Sequence, residues 1–371
     1  MKLALIRRQF AAVGGAELYL QRLLAGLITA GHEVHLYAER WQGAHPGVIL
    51  HEVPVRASRA QRPVVFAETV AQMLAGNDYD VVFSLERTVA QDVYRAGDGL
   101  HRVWLEQRKR YAPWWRRPFV GLGGFHANMK ALEARTFDPA NTRHIIVNSD
   151  MVRREILAHF PFPSERIHLV RNGVDTARFK QGDRAATRAK FGFTDQDFVL
   201  LFVGSGWERK GLSFLLRLMR RWQHTDPQVK LLVVGKGRLT GPTPRNVVLA
   251  GSMPQVEHAY AAADLMTFLP IYEPCSNVVA EALASGLPVI TSRFNGASEL
   301  IQPGVNGHVL DDPADLDSLE KAVRHWQQRT ATRPVSSTLP LDLETNIQAT
   351  VSILEKVAAE KRSAISNPGN M

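Results

Sequence analysis

The sequence has almost no cysteine and no long apolar run. Its 371 residues contain one cysteine, Cys275, which excludes an internal disulfide and any metal site built from several cysteines. No apolar stretch approaches the roughly 20 residues that a membrane-spanning helix needs. The first eight residues, MKLALIRR, become charged too early for a signal peptide. We therefore expect a cytoplasmic protein.

Acidic residues are outnumbered by basic ones. Lysine and arginine total 45, aspartate and glutamate total 36, and the formal net charge is +9. A positive balance favours anionic partners such as phosphorylated substrates, nucleic acids or acidic lipid headgroups, and charge alone does not choose among them. Hydrophobic residues make up 45% of the chain and charged residues 22%. This composition is that of a globular protein and excludes a disordered or fibrous one.

Two series of alternating strands and helices are predicted. In the first, a strand at 2–6, a helix at about 16–30 and a strand at 33–37 form a βαβ unit, which indicates a parallel sheet. The second series begins with a buried strand at 199–203 and continues to about residue 310. The predicted fold class is therefore α/β, with two Rossmann-like, doubly wound parallel sheets.

The domain boundary is predicted at the turn-forming segment 171–175. We expect an N-terminal domain over residues 1–172 and a C-terminal domain over 173–341. A final helix at about 342–362 is expected to return to the N-terminal domain. A length of 371 residues agrees with roughly two domains.

The loop after the strand at 199–203 carries one functional signal. It reads GSGWERKG over residues 204–211. Its glycines let backbone amides approach an anion, and the N-terminus of the next helix adds a favourable dipole. Arg209 and Lys210 place full positive charge there, so the loop suits a diphosphate. The spacing matches neither a Walker A loop nor a full GxGxxG fingerprint, and an ordinary turn with two solvated cations is the alternative.

A second signal is a pair of glutamates, Glu273 and Glu281, across a predicted loop-to-helix junction. The helix is predicted to begin near Ser276, and its first amide groups lack helical acceptors. An ionised carboxylate accepts two hydrogen bonds from a diol, so Glu281 is a candidate for gripping a ribose and Glu273 for touching a sugar hydroxyl. The alternative is that Glu273 favours the helix dipole and Glu281 lies on a solvated helix face.

With these segments in view, the sequence resembles the retaining, nucleotide-sugar-dependent glycosyltransferases of family 4. The resemblance implies the GT-B fold, in which two Rossmann-like domains face each other across a cleft. The acceptor would then bind the N-terminal domain and the nucleotide sugar the C-terminal one. The matching segments follow the family's order and are GGAE at 14–17, RNGVD at 171–175, VG at 203–204 with RKG at 209–211, VGKG at 234–237, AAADL at 261–265, the pair Glu273 and Glu281, and GVNG at 304–307.

The resemblance also implies roles for single residues. Arg209 and Lys210 would bind the diphosphate and stabilise the leaving group, Glu281 would bind the ribose hydroxyls, and Glu273 would hold the donor sugar. No metal or other cofactor is expected, because cationic side chains neutralise the diphosphate, in keeping with electrostatic stabilisation as a large catalytic contribution. The residues implied to bind the donor are Gly15, Gly204, Ser205, Arg209, Lys210, Cys275, Ser276, Asn277, Val278, Glu281 and Arg178.

A narrower resemblance lies in the segments RAGDGLH at 95–101 and WLEQR at 104–108. They are similar to the lipopolysaccharide core glucosyltransferases that act on an inner-core heptose. This similarity implies a hexose donor, UDP-glucose above all, and an acceptor at the inner face of the membrane. Asp98 would orient the acceptor or act as its base, with His101 as the alternative. A Gly-Asp-Gly turn would explain Asp98 without any function.

Residues 101–119, here called the basic aromatic segment, contain six arginines and lysines and one acid, Glu106, interleaved with aromatic residues. Aromatic rings favour the headgroup region of a membrane, and each cation near an anionic surface adds about 1 kcal/mol, so five net charges give an attraction on the order of 5 kcal/mol. We expect peripheral binding to an anionic membrane. The alternatives are a packed loop and a nucleic-acid surface, and no nucleic-acid-binding motif supports the latter.

The sequence allows other interpretations of its function. The triplet Asp315-Leu316-Asp317 matches the DxD pattern of metal-dependent glycosyltransferases, but its place before a predicted helix favours capping. A membrane-associated protein that binds sugar nucleotides without catalysis is one alternative, and the intact set Arg209, Lys210, Glu273 and Glu281 argues against it. A glycosyltransferase for another lipid- or polysaccharide-linked acceptor is a second alternative. An epimerase of GT-B fold is a third, which the family 4 motifs disfavour.

Overall fold

The computed structural model describes residues 1–10, 15–43, 46–239, 241–329 and 342–366. The chain divides into two compact units, one of Met1–Arg171 with Glu344–Met371 and the other of Asn172–Leu343. Each unit is built around one parallel sheet, and the predicted α/β class is confirmed.

The first unit contains a seven-stranded parallel sheet. Its elements in chain order are β1 (Lys2–Ile6), β2 (Gln9–Phe10), α1 (Gly15–Thr29), β3 (Glu33–Ala38), β4 (Arg40–Trp41), β5 (Val48–Glu52), α2 (Arg62–Leu74), β6 (Val81–Ser84), β7 (Gln91–Arg95), α3 (His101–Tyr111), α4 (Gly124–Thr136), β8 (Thr142–Val147), α5 (Asp150–His159) and β9 (Ile167–Leu169), with 3₁₀ turns at Trp114–Phe119 and Ser164–Arg166. The strand order is β5-β3-β1-β6-β7-β8-β9, and β2 pairs with β4 separately.

The predicted βαβ unit supplies two neighbouring inner strands of this sheet. Strand β1 pairs in parallel with β3, with Lys2 opposite Glu33 and Ile6 opposite Tyr37, and on its other side with β6. Both faces of β1 are covered, which is why its residues from Leu3 onward are apolar without alternation. Phe66 of α2 is among the buried residues that pack against Ile6 and Tyr37.

The second unit contains a six-stranded parallel sheet. Its elements are α6 (Thr176–Phe179), α7 (Arg184–Lys190), β10 (Phe198–Val203), α8 (Leu212–Thr225), β11 (Val229–Val234), β12 (Val247–Gly251), α9 (Glu257–Ala262), β13 (Leu265–Phe268), α10 (Asn277–Ala284), β14 (Val289–Ser292), a 3₁₀ turn at Gly296–Leu300, β15 (Gly307–Leu310) and α11 (Leu316–Gln328). The strand order is β12-β11-β10-β13-β14-β15.

This order reverses between β10 and β13. The chain moves outward from β10 to β11 and β12, then crosses back to β13 on the other side of β10. In open α/β sheets such a switch point opens a crevice at the carboxyl ends of the strands, and ligands bind there. The two loops that flank the crevice are those that follow β10 and β13.

The last helix, α12 (Leu343–Ser366), belongs to the first unit from Glu344 onward. The Lys361 ammonium donates to the carbonyl oxygen of Tyr79 at 2.9 Å and to the Asp92 carboxylate at 3.0 Å. The His144 ring nitrogen Nε2 lies 2.9 Å from the Glu360 carboxylate. Polar side chains therefore fasten the C-terminal half of α12 to strands and loops of the first unit. Within the described ranges, no helix is both long enough and apolar enough to cross a bilayer.

Candidate functional site

The loop after β10 is folded against the loop after β13. Gly211 has a φ of +76°, and a Cβ atom there would clash with the carbonyl oxygen of Leu269. Only glycine accepts both the left-handed backbone and this close approach. The backbone N–H of Ile271 donates to the carbonyl oxygen of Arg209 at 3.0 Å, so the two loops form one surface at the switch point.

Trp207 joins the same loop to the one after β11. Its indole N–H donates to the carbonyl oxygen of Gly204 at 2.9 Å, and its ring occupies the space beside Gly237, where a Cβ atom would clash with it. The Ser205 hydroxyl accepts the backbone N–H of Lys236 at 3.1 Å. The glycine-rich loop is thus held in place by two contacts to its neighbour, and sequence reasoning gave Trp207 no role.

Arg209 and Glu273, which are 64 positions apart, form an ion pair. The Arg209 guanidinium lies 3.1 Å from Glu273 Oε2, and the two side chains are 39% and 15% exposed. A second guanidinium nitrogen donates to the carbonyl oxygen of Tyr272 at 3.4 Å. The pair fixes the direction of the guanidinium while leaving part of it open to solvent, so that it can still meet an anion.

Lys210 lies deeper than Arg209. Its ammonium is 5.8 Å from the centroid of the Phe268 ring, within the range of a cation–π contact. Burial lowers the pKa of Lys210; the carboxylates of Glu273 and Glu281 oppose this shift, and Arg209 adds to it. A cation held in this way, with little surrounding water, attracts an anion more strongly than an exposed lysine does.

Glu281 lies on α10 beside Tyr260 of α9. The Tyr260 hydroxyl donates to Glu281 Oε2 at 2.7 Å. Burial raises the pKa of Glu281, and Tyr260 is the first of the groups that oppose the shift, followed by Arg178 and Lys210. We call Arg209, Lys210, Glu273 and Glu281 the charged cluster, because Lys210 is coupled electrostatically to the other three.

The N-terminus of α10 supplies backbone donors next to this cluster. Ser276 precedes the helix without capping it through its side chain, and its own backbone N–H donates to the Asn295 side chain at 3.2 Å. The side-chain amide of Asn172 donates to the carbonyl oxygen of Cys275 at 3.1 Å and to the Asn277 side chain at 2.8 Å. The first helical N–H groups, at Asn277 and Val278, have no acceptor within the helix.

Arg178 is engaged elsewhere in the second unit. Two of its guanidinium nitrogens donate to Glu257 Oε2 at 3.1 and 2.9 Å, and one also donates to the carbonyl oxygen of Pro254 at 3.2 Å. It acts on Glu281 through its charge. Its predicted contact with a diphosphate stays a prediction.

Three predicted site positions lie in the first unit. Gly15 is the first residue of α1. Asp98 is exposed in a turn after β7, where Arg87 donates to the carbonyl oxygen of Gly99 at 2.6 Å and Asn148 to that of Gly97 at 3.2 Å. The turn is therefore braced on both sides of Asp98.

His101 begins α3 directly after that turn. Its Nε2 atom lies 3.1 Å from His126 Nδ1. Burial, with the charges of Arg87, His126 and Lys130, lowers the pKa of His101 to about 4. The imidazole is therefore neutral near pH 7.

Glu86 is a carboxylate near Asp98 that sequence reasoning missed. It forms an ion pair with Arg7 at 3.2 Å, and its pKa is raised by burial and, in smaller part, by Asp98. The only sequence signal was its position two residues after β6, at the carboxyl edge of the sheet.

The 3₁₀ turn of the basic aromatic segment presents its rings to solvent. After α3, the 3₁₀ turn carries Trp114, Trp115 and Phe119, which are 77%, 56% and 70% exposed. Arg116 and Arg117 between them are exposed as well. The packed-loop alternative is therefore wrong for this turn, because its aromatic rings do not fill the edge of the unit.

The described residues include no group of three or more histidine, cysteine, aspartate or glutamate side chains arranged to hold a metal ion. The Asp315 carboxylate instead accepts the backbone N–H groups of Asp317 at 3.1 Å and Ser318 at 3.0 Å at the start of α11. The capping interpretation of this triplet is confirmed.

Two family models match the chain. The model of Glycosyltransferase Family 4 matches residues 13–178, and that of Glycosyl transferases group 1 matches residues 197–328. Glycosyltransferase models thus match both parts of the chain, and the chain is a glycosyltransferase. The second match includes the whole charged cluster of this glycosyltransferase.

Curated relatives of this glycosyltransferase act on different acceptors. It is 25% identical to the lipopolysaccharide glucosyltransferase WaaG of Escherichia coli K12, over 84% of this chain and 85% of the relative. It is 24% identical to the D-inositol 3-phosphate glycosyltransferase of Segniliparus rotundus, over 80% of this chain and 73% of the relative.

Solved structures share the fold. The crystal structure of WaaG, described as a glycosyltransferase involved in lipopolysaccharide biosynthesis, has a TM-score of 0.78 at 22% identity, with 95% of this chain and 99% of that chain covered. Anabaena HepE in complex with UDP-glucose has a TM-score of 0.68 at 19% identity, covering 96% and 100%. The predicted GT-B fold, with one parallel sheet in each half, is confirmed.

Proposed function

We propose that this glycosyltransferase moves a hexose, glucose above all, from a UDP-sugar to a heptose-type lipopolysaccharide core acceptor, with retention of the anomeric configuration. The charged cluster at the switch point of the second sheet is the observation that carries this proposal. It combines two cations for a diphosphate, a carboxylate for the ribose and a second carboxylate for the sugar. The UDP-glucose bound by HepE and the name of the WaaG relative support the donor and the acceptor.

In this proposal, the diphosphate binds between the amides of the glycine-rich loop, Arg209 and Lys210. As the bond from the anomeric carbon to the phosphate oxygen breaks, negative charge grows on the departing UDP. Cations already in place stabilise that charge without reorganisation, which is a large source of catalysis. Two cationic side chains supply the neutralisation that a metal ion would otherwise give, so we propose that no metal is required.

The sugar and nucleoside ends are held by carboxylates and by α10. Glu281 accepts hydrogen bonds from the ribose diol, which a carboxylate does with two oxygens. Glu273 holds the donor sugar together with the amides of α10, among them those at Asn277 and Val278. In the first unit, Asp98 orients the acceptor hydroxyl or removes its proton, with His101 as the alternative.

The acceptor is proposed to be lipid-linked and met at the inner face of the cytoplasmic membrane. The exposed rings of Trp114, Trp115 and Phe119 suit the headgroup region of a bilayer. The neighbouring arginines suit its anionic lipids. The protein is then a cytoplasmic enzyme that binds the membrane peripherally.

The direct test is UDP release from UDP-glucose in the presence and absence of a heptose-containing core acceptor. The proposal predicts release that depends on the acceptor and leaves a glucosylated product. UDP-glucose binding without release would instead favour a non-catalytic sugar-nucleotide binder. Conversion of the nucleotide without any acceptor would favour an epimerase, and transfer only to other acceptors would leave the donor half of the proposal standing.

A further inference from the structure

Tyr260 is a fully buried residue of α9 that has no role in the function proposed above. Its ring is 0% exposed and packs edge-on against Phe179, with centroids 5.5 Å apart. Its hydroxyl donates to Glu281 Oε2 at 2.7 Å. A buried hydroxyl needs a partner, and this one has a carboxylate that is itself implied to bind ligand.

The contact constrains the direction of that carboxylate. An ionised carboxylate has about four acceptor positions on its two oxygens, and the tyrosine occupies one of them on Oε2. The remaining positions stay available to a second donor. Because the tyrosine ring is packed on all sides, it holds Glu281 in one orientation at little cost in side-chain entropy.

The contact also affects the charge of Glu281. The charged and titratable groups that face it are Tyr260 and Glu257 from α9, Arg178 from α6 and Lys210 from the loop before α8. Burial raises the pKa of Glu281, Glu257 acts in the same direction, and the other three lower it. Arg178 is already paired with Glu257 at 2.9 Å, so Tyr260 is the neutral donor in this set that bonds Glu281 directly.

We propose that Tyr260 is a positioning residue that keeps the Glu281 carboxylate ionised and turned toward the ribose of the donor nucleotide. The inference rests on the proposed function, in which Glu281 accepts hydrogen bonds from the ribose diol. A protonated Glu281 has lost part of its acceptor capacity. Without the tyrosine hydroxyl, the carboxyl group therefore takes up a proton at a higher pH and binds the ribose less well in acid.

The test is the Tyr260→Phe variant of the full chain, with UDP as the probe and the dissociation constant measured by calorimetry from about pH 5 to about pH 8. The expected result is a ratio of variant to wild-type dissociation constants that grows about tenfold from neutral to acidic pH, since a tenfold change corresponds to one unit of pKa. The terminal phosphate of UDP titrates in both proteins and cancels in the ratio.

Tyr37→Phe is the matched control. It also deletes a buried tyrosine hydroxyl, one that lies 2.7 Å from the hydroxyl of Tyr79 in the first unit, and it should leave the ratio flat. In a Glu281→Gln background, where position 281 no longer titrates, Tyr260→Phe should add no pH dependence. A ratio that still grows in that background would overturn the proposal.

A ratio that is constant across the pH range would also overturn it, because a purely structural tyrosine lowers affinity equally at every pH. Loss of the folded state in Tyr260→Phe, followed by circular dichroism, would likewise make the tyrosine structural. These failures are distinct from failure of the proposed function itself, in which wild-type protein would not bind UDP at any pH.

Discussion

The charged cluster of the second unit and the basic aromatic segment of the first both depend on arginine and lysine, but they hold these side chains differently. In the cluster, Arg209 is paired with Glu273 and Lys210 is partly buried beside two carboxylates. In the segment, Arg116 and Arg117 are exposed between exposed aromatic rings. Fixed cations suit one anionic ligand of defined shape, whereas exposed cations suit a broad surface of negative charge.

The largest effect is expected from removing the buried cation. Lys210→Ala should lower the rate of UDP release about 100- to 1,000-fold, the loss that follows removal of one preorganised electrostatic group from an active site. Lys321→Ala on α11 is the matched control, since it removes an exposed lysine of the same unit. Full activity of Lys210→Ala would contradict the role of the cluster.

A smaller effect is expected from the exposed cations. The double variant Arg116→Ala, Arg117→Ala should weaken flotation with anionic liposomes about thirtyfold, because each cation contributes about 1 kcal/mol at such a surface. Turnover of a soluble acceptor fragment should be unchanged. The control removes Arg153 and Arg154 of α5, which lie in the same unit. Equal partitioning of wild-type protein to neutral and anionic vesicles would refute the electrostatic part.

The exposed aromatic rings should contribute equally to the binding of neutral and anionic membranes. Trp114→Ala removes a side chain that is 77% exposed, so the free energy of unfolding should change by less than about 0.5 kcal/mol. Binding to neutral and anionic liposomes should fall by a similar factor of about ten, the value of a few tens of Å² of apolar area. Leu249→Ala, at an exposed apolar position of the second unit, serves as the control. If Trp114→Ala binds liposomes as well as wild-type protein does, the ring makes no contribution to membrane binding.

The pH dependence of UDP binding should distinguish the buried cation Lys210 from an exposed lysine. Burial lowers the pKa of Lys210, so its charge is lost at a lower pH than that of an exposed lysine, and UDP binding should weaken as the pH rises through that range. Lys210→Arg keeps its charge at alkaline pH. Above the pH at which Lys210 loses its proton, the variant should therefore bind UDP several-fold more tightly than wild-type protein does. An alkaline limb identical in both proteins would assign it to another group.

The smallest effect concerns stability alone. Asp315→Ala removes the cap of α11, where the carboxylate accepts two backbone N–H groups, and should cost about 1 kcal/mol of unfolding free energy. Turnover should not change at temperatures well below the transition. A loss of activity without a loss of stability would reopen the metal-binding interpretation of this triplet.

The fold was largely predictable because parallel α/β chains repeat one local pattern. Lys2–Ile6 and Glu33–Ala38 are neighbouring strands joined by one helix, and the expected pairing is present. The order of the strands was not predictable, because the pairing of β1 with β6 joins segments about 80 residues apart without a local signal.

In the candidate site, charge and glycine spacing pointed to Arg209, Lys210 and the two glutamates, which the structure brings together. The roles of Tyr260 and Trp207 could not be predicted from the sequence, because an aromatic residue inside a helix or loop is typical of ordinary packing. The role of each polar atom becomes clear only when its hydrogen-bond partner is known, Glu281 for Tyr260 and Gly204 for Trp207. Long-range hydrogen bonds of this kind depend on tertiary structure alone.

The most direct measurement compares UDP with uridine as ligands of wild-type protein and of Lys210→Ala, by calorimetry at neutral pH. If the charged cluster binds the diphosphate, wild-type protein binds UDP far more tightly than uridine, and the variant loses most of this preference, keeping only the part that Arg209 and the loop amides supply. A variant that keeps the wild-type preference for UDP would contradict the account.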